Sequence, residues 1–208
     1  MKIDFVTQEV YEIVNKMKAK KSCGYDDIPI TIIKENIDLL AEPFSHFYNK
    51  CFADSIFPDQ LKIAKITPVH KKGSKKDPSN YRPISLLPNL SKIFEKLIKN
   101  RLFRHFNLNR VINRRQFGYM NNVGTLDAID TLINDVVTKL NDKKKVAGIY
   151  LDLSSAFDLV NHDLLLAKLE HYGVRGSALQ LIKSYLHNRK MFVEMNYEYD
   201  EISGNREI

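Results

Sequence analysis

Residues 146–158 read Val-Ala-Gly-Ile-Tyr-Leu-Asp-Leu-Ser-Ser-Ala-Phe-Asp and form the most informative segment of the chain. The apolar run 146–151 predicts a buried strand, which ends abruptly at Asp152. A carboxylate directly after a buried strand lies at a sheet edge, where side chains converge, and Mg²⁺ prefers such hard oxygen ligands. The alternative is that Asp152 or Ser154 only caps the next helix, and one aspartate alone favours it. Asp158 is more typical of a residue that caps or braces a helix.

The segments around this junction alternate between helical and extended patterns. Helical spacing predicts helices over 7–20, shortly after Pro29, and over 37–54, 91–106, 125–140, 162–171 and 177–187. Thr7 is the predicted cap of the first helix. Short apolar runs predict strands over 64–70, 81–87, 190–195 and 198–202. In the helix 125–140 the apolar residues are expected to face inward: Leu126, Ile129, Ile133, Val136, Val137 and Leu140.

The strands 64–70 and 81–87 flank a charged turn and together predict a hairpin with a basic tip. Lys71, Lys72 and Arg82 at this tip could clamp a triphosphate, because arginine presents a planar fork and lysine a point charge. The alternative is a solvated turn whose lysines protect an exposed strand edge, and composition alone favours that alternative.

The positive charge of the chain is concentrated in one segment. Residues 61–115 contain 15 Lys or Arg and two acids, while the whole chain has a net charge of +7. This block predicts a polyanionic partner, although a solvated helix face rich in lysine would have the same composition.

The remaining composition limits the classes of protein to consider. Hydrophobic residues make up 44% of the 208 residues, which is enough for a sizeable core. No apolar run approaches the length of a membrane span, and the N-terminus lacks the apolar stretch of a signal peptide. Cys23 and Cys51 form no disulfide framework and no zinc-binding pattern. We therefore expect an intracellular protein, cytoplasmic or nuclear, that is not secreted and has no membrane partner.

Four motifs follow one another along the chain: Lys-Ile-Thr-Pro-Val-His-Lys-Lys-Gly (65–73), Asn-Tyr-Arg-Pro-Ile-Ser-Leu-Leu (80–87), Gln-Phe-Gly-Tyr (116–119) and Tyr-Leu-Asp-Leu-Ser-Ser-Ala-Phe-Asp-Leu-Val-Asn-His (150–162). In this order they resemble the reverse transcriptases of non-LTR retrotransposons, especially jockey-like and related animal LINE elements. A further stretch, Cys-Gly-Tyr-Asp-Asp-Ile-Pro (23–29), resembles the opening motif of that family.

The resemblance implies an α+β right-hand polymerase fold in which an antiparallel sheet is packed with helices. Residues 1–208 would form a partial reverse transcriptase domain, with about 1–120 mainly fingers and about 121–208 the start of the palm. The family's Pro-Gln-Gly motif and its Tyr/Phe–any–Asp–Asp box do not appear after Asp158. We therefore expect fingers plus an incomplete palm, with the rest of the palm and the thumb normally in cis.

The resemblance also implies roles around the catalytic junction. Asp152 matches the first catalytic aspartate, a ligand of two Mg²⁺ (or Mn²⁺) ions, and the Leu153 backbone carbonyl matches a main-chain ligand. Phe157 matches the steric gate, whose ring leaves no room for a 2′-hydroxyl and so selects deoxynucleotides by exclusion.

Other residues match the parts of the family that contact substrates. Lys71 or Lys72, and Arg82, match the fingers cations on the triphosphate. Gln116, Phe117 and Gly118 match a motif near the template strand, where glycine permits close backbone approach. The implied partners are an RNA template, a DNA primer and dNTPs, and residues 92–115 would follow primer–template phosphates.

The implied reaction is attack of a primer 3′-hydroxyl on the α-phosphate of a dNTP with two metal ions. Because Asp152 alone cannot hold two ions tightly, we expect these 208 residues to be inactive by themselves. Two alternatives remain open: a non-catalytic nucleic-acid-binding remnant of a retroelement, and a group II intron maturase, which shares the palm chemistry.

Overall fold

A computed structural model describes residues 6–153, 156–199 and 202–207, with side chains described as far as Glu194. Seven α-helices are formed by the described residues: α1 (Thr7–Lys16), α2 (Ile30–Glu35), α3 (Ile37–Ala53), α4 (Asn89–Leu108), α5 (Thr125–Asn141), α6 (His162–His171) and α7 (Ser177–Leu186). Four strands accompany them: β1 (Ile63–His70), β2 (Tyr81–Leu86), β3 (Lys190–Tyr199) and β4 (Ile202–Glu207). Every predicted helix is therefore confirmed, although α1 ends at Lys16 because Met17 is extended, and its N-cap is Val6 rather than Thr7.

The strands form one sheet in the order β2-β1-β3-β4. The predicted hairpin is confirmed, since β1 and β2 pair antiparallel from Lys65↔Leu86 to His70↔Tyr81. The prediction of a purely antiparallel sheet is wrong, because β1 pairs with β3 in parallel. The physical reason is the connection: α4 to α7 lie between these strands in sequence, and a crossover of that length lets β3 run in the direction of β1.

The two late strands differ from their predicted bounds. Residues 190–195 lie in the single strand β3 together with Glu198 and Tyr199, and the second late strand is β4, which begins at Ile202. The first part of β3 pairs with β1 and the second part pairs with β4, so backbone hydrogen bonding continues through the polar residues near Asn196. Asp200 and Glu201, inside the predicted second strand, lie outside the described residues.

The chain divides into two compact units, Met1–Leu102 with His162–Ile208, and Phe103–Asn161. The first has a packed core that includes a run of aromatic contacts. Tyr48 stacks on Phe94 with a centroid distance of 4.8 Å, and Phe94 stacks on Phe57 at 5.0 Å. Phe57 in turn meets the edge of Tyr185, at 4.9 Å. Burial of such large apolar rings stabilises this unit.

The second unit, residues 103–161, contains α5 and has no fully buried residue among those described. The expectation that the apolar face of α5 points inward is wrong within this unit. Leu126 is 81% exposed and Leu140 is 55% exposed, and no residue of α5 is buried.

The predicted buried strand 146–151 is also wrong. These residues form no helix or strand, and Ile149, Tyr150 and Leu151 are 81–90% exposed. A strand requires a neighbour for its backbone N–H and C=O groups, and no described strand lies beside this run. The apolar pattern of 146–151 is thus present without the pairing that would bury it.

No described helix has both the length and the apolar character of a membrane span.

Candidate active site

The tip of the β1–β2 hairpin is held in a defined shape by its own backbone and side chains. The Lys71 N–H donates to the Asn80 carbonyl at 2.8 Å, and the Tyr81 hydroxyl donates to the Lys75 carbonyl at 2.9 Å. Gly73 has φ +85°, a conformation that favours glycine. The turn between the strands is therefore fixed by local contacts.

This turn presents the three predicted triphosphate cations to solvent. Lys71, Lys72 and Arg82 are all exposed, and their side chains make no hydrogen bond or ion pair with another described residue. Lys65 of β1 contrasts with them because it pairs with Glu194 of β3, and this hydrogen bond raises the pKa of Lys65. The three cations at the tip are available to bind an anion.

Asp152 lies in the exposed segment 144–153, which forms no helix or strand. The alternative role as a helix cap does not apply to it, because the next helix, α6, begins ten residues later at His162. Asp158 likewise lies in the turn 156–159 and caps no helix, and Ser154 lies outside the described residues. The Asp152 carboxylate is open to solvent, as is the adjacent Leu153, which is 76% exposed.

The structure brings two of the predicted motifs together within the unit of residues 103–161. The ring of Phe157 is 74% exposed and meets the ring of Tyr119 edge to face, with centroids 5.8 Å apart. Tyr119, at φ +60°, is the last residue of the Gln-Phe-Gly-Tyr motif. No role was predicted for Tyr119, and its place in that motif was the signal that could have indicated one.

The rest of the Gln-Phe-Gly-Tyr motif forms a compact turn. The Gln116 side-chain amide donates to the Gly118 carbonyl at 3.0 Å, so this amide is engaged with its own loop. A Cβ added at Gly118 would lie 3.6 Å from that amide nitrogen, an ordinary van der Waals contact. The fold of this unit therefore does not require glycine at 118. Phe117 is half-buried.

The candidate residues are distributed over both units. Lys71, Lys72 and Arg82 belong to the first, and Gln116, Phe117, Gly118, Asp152, Leu153 and Phe157 belong to the second.

The opening motif at residues 23–29 has a structural role that sequence reasoning missed. A Cβ on Gly24 would lie 2.4 Å from the Pro88 nitrogen and 2.7 Å from the Leu87 carbonyl carbon. Next to this contact, the buried Asn89 side chain donates to the Ile28 carbonyl at 2.7 Å. The motif thus packs directly on the backbone that leads from β2 into α4.

The α4 part of the basic segment is mostly engaged in the fold. Burial lowers the pKa of Lys92 and of Lys96, and for Lys96 the neighbouring Lys99 and Lys34 lower it further. Arg101 makes a two-pronged ion pair with Glu9, at 2.6 and 2.7 Å. These three side chains are thus partly buried or paired, whereas Lys99 and Arg104 of the same helix are exposed.

The predicted metal ions need a cluster of ligands. No three His, Cys, Asp or Glu side chains among the described residues lie close enough together to hold one. Asp152 offers a single carboxylate, and a two-ion site needs several. The described residues therefore do not fit two ions by themselves.

Comparison with known proteins shows the family. Residues 69–206 match the family model described as reverse transcriptase (RNA-dependent DNA polymerase). The chain belongs to the reverse transcriptase family. The matched residues include the hairpin tip, the Gln-Phe-Gly-Tyr motif and the segment around Asp152, so the resemblance inferred from the motifs is confirmed.

Curated relatives of this reverse transcriptase sequence come from non-LTR elements. It is 32% identical over 199 residues to the probable RNA-directed DNA polymerase from transposon BS of Drosophila melanogaster, covering 92% of this chain and 21% of the relative. It is 32% identical over 190 residues to the RNA-directed DNA polymerase from mobile element jockey of the same fly, covering 91% and 21%. The probable RNA-directed DNA polymerase from its transposon X-element is 29% identical over 189 residues, covering 90% and 21%. The chain thus spans about a fifth of the length of these relatives.

Proposed function

We propose that this reverse transcriptase chain supplies the dNTP-contacting part of an RNA-directed DNA polymerase of a non-LTR retrotransposon. The observation that carries the proposal is the family match over residues 69–206, a range that contains Lys71, Lys72, Arg82, Asp152 and Phe157. In this proposal about 1–120 are mainly fingers and about 121–208 begin the palm. The partners are an RNA template, a DNA primer and dNTPs.

Lys71, Lys72 and Arg82 would bind the triphosphate. Their exposure and their lack of partners among the described residues support this role, because an engaged cation would first have to break its existing contact. The hydrogen-bonded turn between the strands supports it further, since a fixed tip loses less conformational freedom on binding than a mobile one.

Asp152 would contribute one carboxylate to a divalent metal site, as the reverse transcriptase family generally uses such ions, with further ligands from elsewhere in the polymerase. Gln116, Phe117 and Gly118 would lie near the template. The contact between Tyr119 and Phe157 supports a link between the template motif and the gate, since movement of one ring changes the packing of the other.

The experiment that tests the proposal is a chimera. Residues 1–208 replace the aligned segment of the jockey polymerase, and RNA-templated primer extension is measured with Mg²⁺ and dNTPs. The chimera is expected to extend the primer, while the 208-residue chain alone is expected not to, because it offers one candidate metal-binding carboxylate. A folded chimera that binds primer–template without extending it would contradict the proposal.

For the isolated polypeptide the second candidate function is nucleic-acid binding without turnover. Among the described residues no group of His, Cys, Asp or Glu side chains could hold a metal ion, and this favours binding without turnover for the 208 residues alone. Primer extension by the isolated chain, abolished by Asp152→Asn, would exclude that candidate.

Phe157 provides a separate prediction in the same chimera. Phe157→Ala is expected to reduce discrimination against ribonucleotides by at least about tenfold, because the smaller side chain leaves room for a 2′-hydroxyl. The rates of dCTP and CTP incorporation opposite a template guanine are compared. Phe117→Ala is the control, since it also removes a ring and should leave the ratio unchanged; an unchanged ratio in Phe157→Ala would show that Phe157 is not the gate.

A further inference from the structure

The hairpin of β1 and β2 extends beyond the part of the sheet in which other strands lie beside it. β2 is the edge strand of the sheet, with no described strand on its outer side. On the other side, β3 pairs with β1 only from Ile63↔Lys190 to Ile66↔Val193. Past Ile66 the hairpin therefore has an outer edge on each side among the described residues. Such an edge presents N–H and C=O groups on which another strand can pair.

The register of the hairpin shows which backbone groups point to these edges. The Lys71 N–H donates to the Asn80 carbonyl at 2.8 Å, and this pair continues the β1–β2 register. In an antiparallel ladder, pairs that exchange such bonds alternate with pairs whose N–H and C=O groups point away from the partner strand. Pro68 and Pro83 oppose each other three steps from the Lys71–Asn80 pair, so their nitrogen atoms point to the two outer edges.

Pro68 closes the edge of β1. Ala64 and Ile66 have the same orientation as Pro68 and lie in the part of β1 that pairs with β3. Pro68 is the next position at which β1 would donate in that direction, and proline has no N–H. The pairing with β3 ends at Ile66, before this position, as expected for a strand that reaches a proline.

Pro83 closes the edge of β2. The outward-facing residues of this strand are Tyr81, Pro83 and Ser85. The Tyr81 N–H already donates to the Pro78 carbonyl, so of these three described residues only Ser85 keeps an N–H for another strand. Pro83 is the middle one. Two β2 edges that paired antiparallel about this residue would use its N–H once from each copy, so proline removes both central hydrogen bonds.

The side chains of the hairpin would otherwise favour such pairing. Val69 and Ile84 are 47% and 43% exposed. They lie diagonally on one face of the hairpin, because Val69 is opposite Arg82 and Ile84 is opposite Thr67. Exposed apolar side chains on an open edge are typical of strands that associate with other chains. Without the two prolines, the hairpin would combine these side chains with unpaired backbone donors.

We propose that Pro68 and Pro83 prevent the hairpin from pairing edge to edge with a second copy of this chain. A second copy is the partner to exclude, because it carries the same β2 edge and two identical antiparallel edges are related by a two-fold axis. An unpaired hairpin also leaves Lys71 and Lys72 of the tip open to solvent, as they are in the structure. This role of the prolines depends on backbone register and is independent of the proposed function.

The test is sedimentation velocity of the whole 208-residue chain over a range of concentrations, with wild type expected to be monomeric. Pro83→Val restores the central donor with a side chain that favours strands. It is expected to lower the Kd of self-association at least about tenfold, the scale of one or two net hydrogen bonds. Pro68→Val is expected to act in the same direction on the other edge. Thr67→Val is the matched control, expected to behave as wild type, because the N–H of residue 67 faces β2.

A relocated proline tests whether the missing N–H is the cause. Ser85→Pro closes the β2 edge again at the neighbouring outward position, so it is expected to make Pro83→Val monomeric and to leave Pro68→Val associated. A monomeric Pro83→Val chain would overturn the proposal, as would equal association of Thr67→Val or persistent association after Ser85→Pro is added. Thermal melting identifies unfolding: association accompanied by a lower melting temperature than that of Thr67→Val would also count against it. None of these measurements requires polymerisation, so failure of the chimera does not affect them.

Discussion

Replacing Gly24 with alanine is expected to destabilise the chain by about 3 kcal/mol or more, the upper range for steric overpacking. The new Cβ would lie 2.4–2.8 Å from three backbone atoms of Leu87 and Pro88, and real Cβ atoms essentially never approach so closely. Backbone atoms cannot rotate away as the end of a side chain can. The loop of residues 23–29 or the start of α4 would have to move, and the buried hydrogen bond from Asn89 to Ile28 would be lost with it.

Urea unfolding followed by circular dichroism measures this effect, and Gly118→Ala is the matched control. The same added methyl group at 118 meets only the Gln116 side chain at 3.6 Å, so its free energy of unfolding is expected to stay within about 0.5 kcal/mol of wild type. If Gly24→Ala is as stable as Gly118→Ala, that result would contradict the close packing of the opening motif on the backbone between β2 and α4.

The parts of the fold that could be predicted are those whose sequence pattern is local. The hairpin is one example, because alternating strands and a Gly-containing turn lie within residues 63–86. The helices are another, since periodic apolar residues such as Val10, Ile13 and Val14 do become buried.

The parts that could not be predicted depend on partners distant in sequence. Glycine is needed at position 24 because the backbone of Pro88, 64 positions later in the chain, leaves no room for a Cβ. Nothing in the motif itself indicates that contact. The run 146–151 has the composition of a buried strand, yet burial needs a neighbouring strand, and none of those described lies beside it. The parallel pairing of β1 with β3 depends in the same way on a long crossover.

The candidate site shows the same division. The sequence indicated which residues to consider, including the exposed cations of the hairpin and Phe157. It did not indicate that the Gln116 side chain donates a hydrogen bond to the Gly118 carbonyl or that the Tyr119 ring contacts the Phe157 ring, because these contacts depend on turn geometry. It also treated residues 92–115 as one basic segment, whereas burial separates Lys92 and Lys96 from the exposed Arg110 and Arg114.

The second large expected effect concerns Asp152. In the jockey chimera, Asp152→Asn is expected to lower the rate of primer extension by at least about a thousandfold, the scale on which removal of one essential catalytic group acts. The amide has nearly the same shape as the carboxylate but carries no charge and is a much poorer ligand for a divalent ion. Because the Asp152 side chain is exposed and makes no contact with another described residue, the substitution is expected to leave stability unchanged.

Asp158 provides the matched control for this substitution. It lies six residues later in an exposed turn, caps no helix and has the same charge. Asp158→Asn is expected to extend the primer at a rate within a few-fold of the unchanged chimera.

The most direct test is therefore the single-turnover rate of RNA-templated dNTP addition by the chimera, measured side by side for Asp152→Asn and Asp158→Asn. We expect extension to be lost with the first substitution and kept with the second, while both variants bind primer–template as the unchanged chimera does. Equal activity of the two variants, or loss with Asp158→Asn alone, would contradict the assignment of this chain's catalytic carboxylate to Asp152.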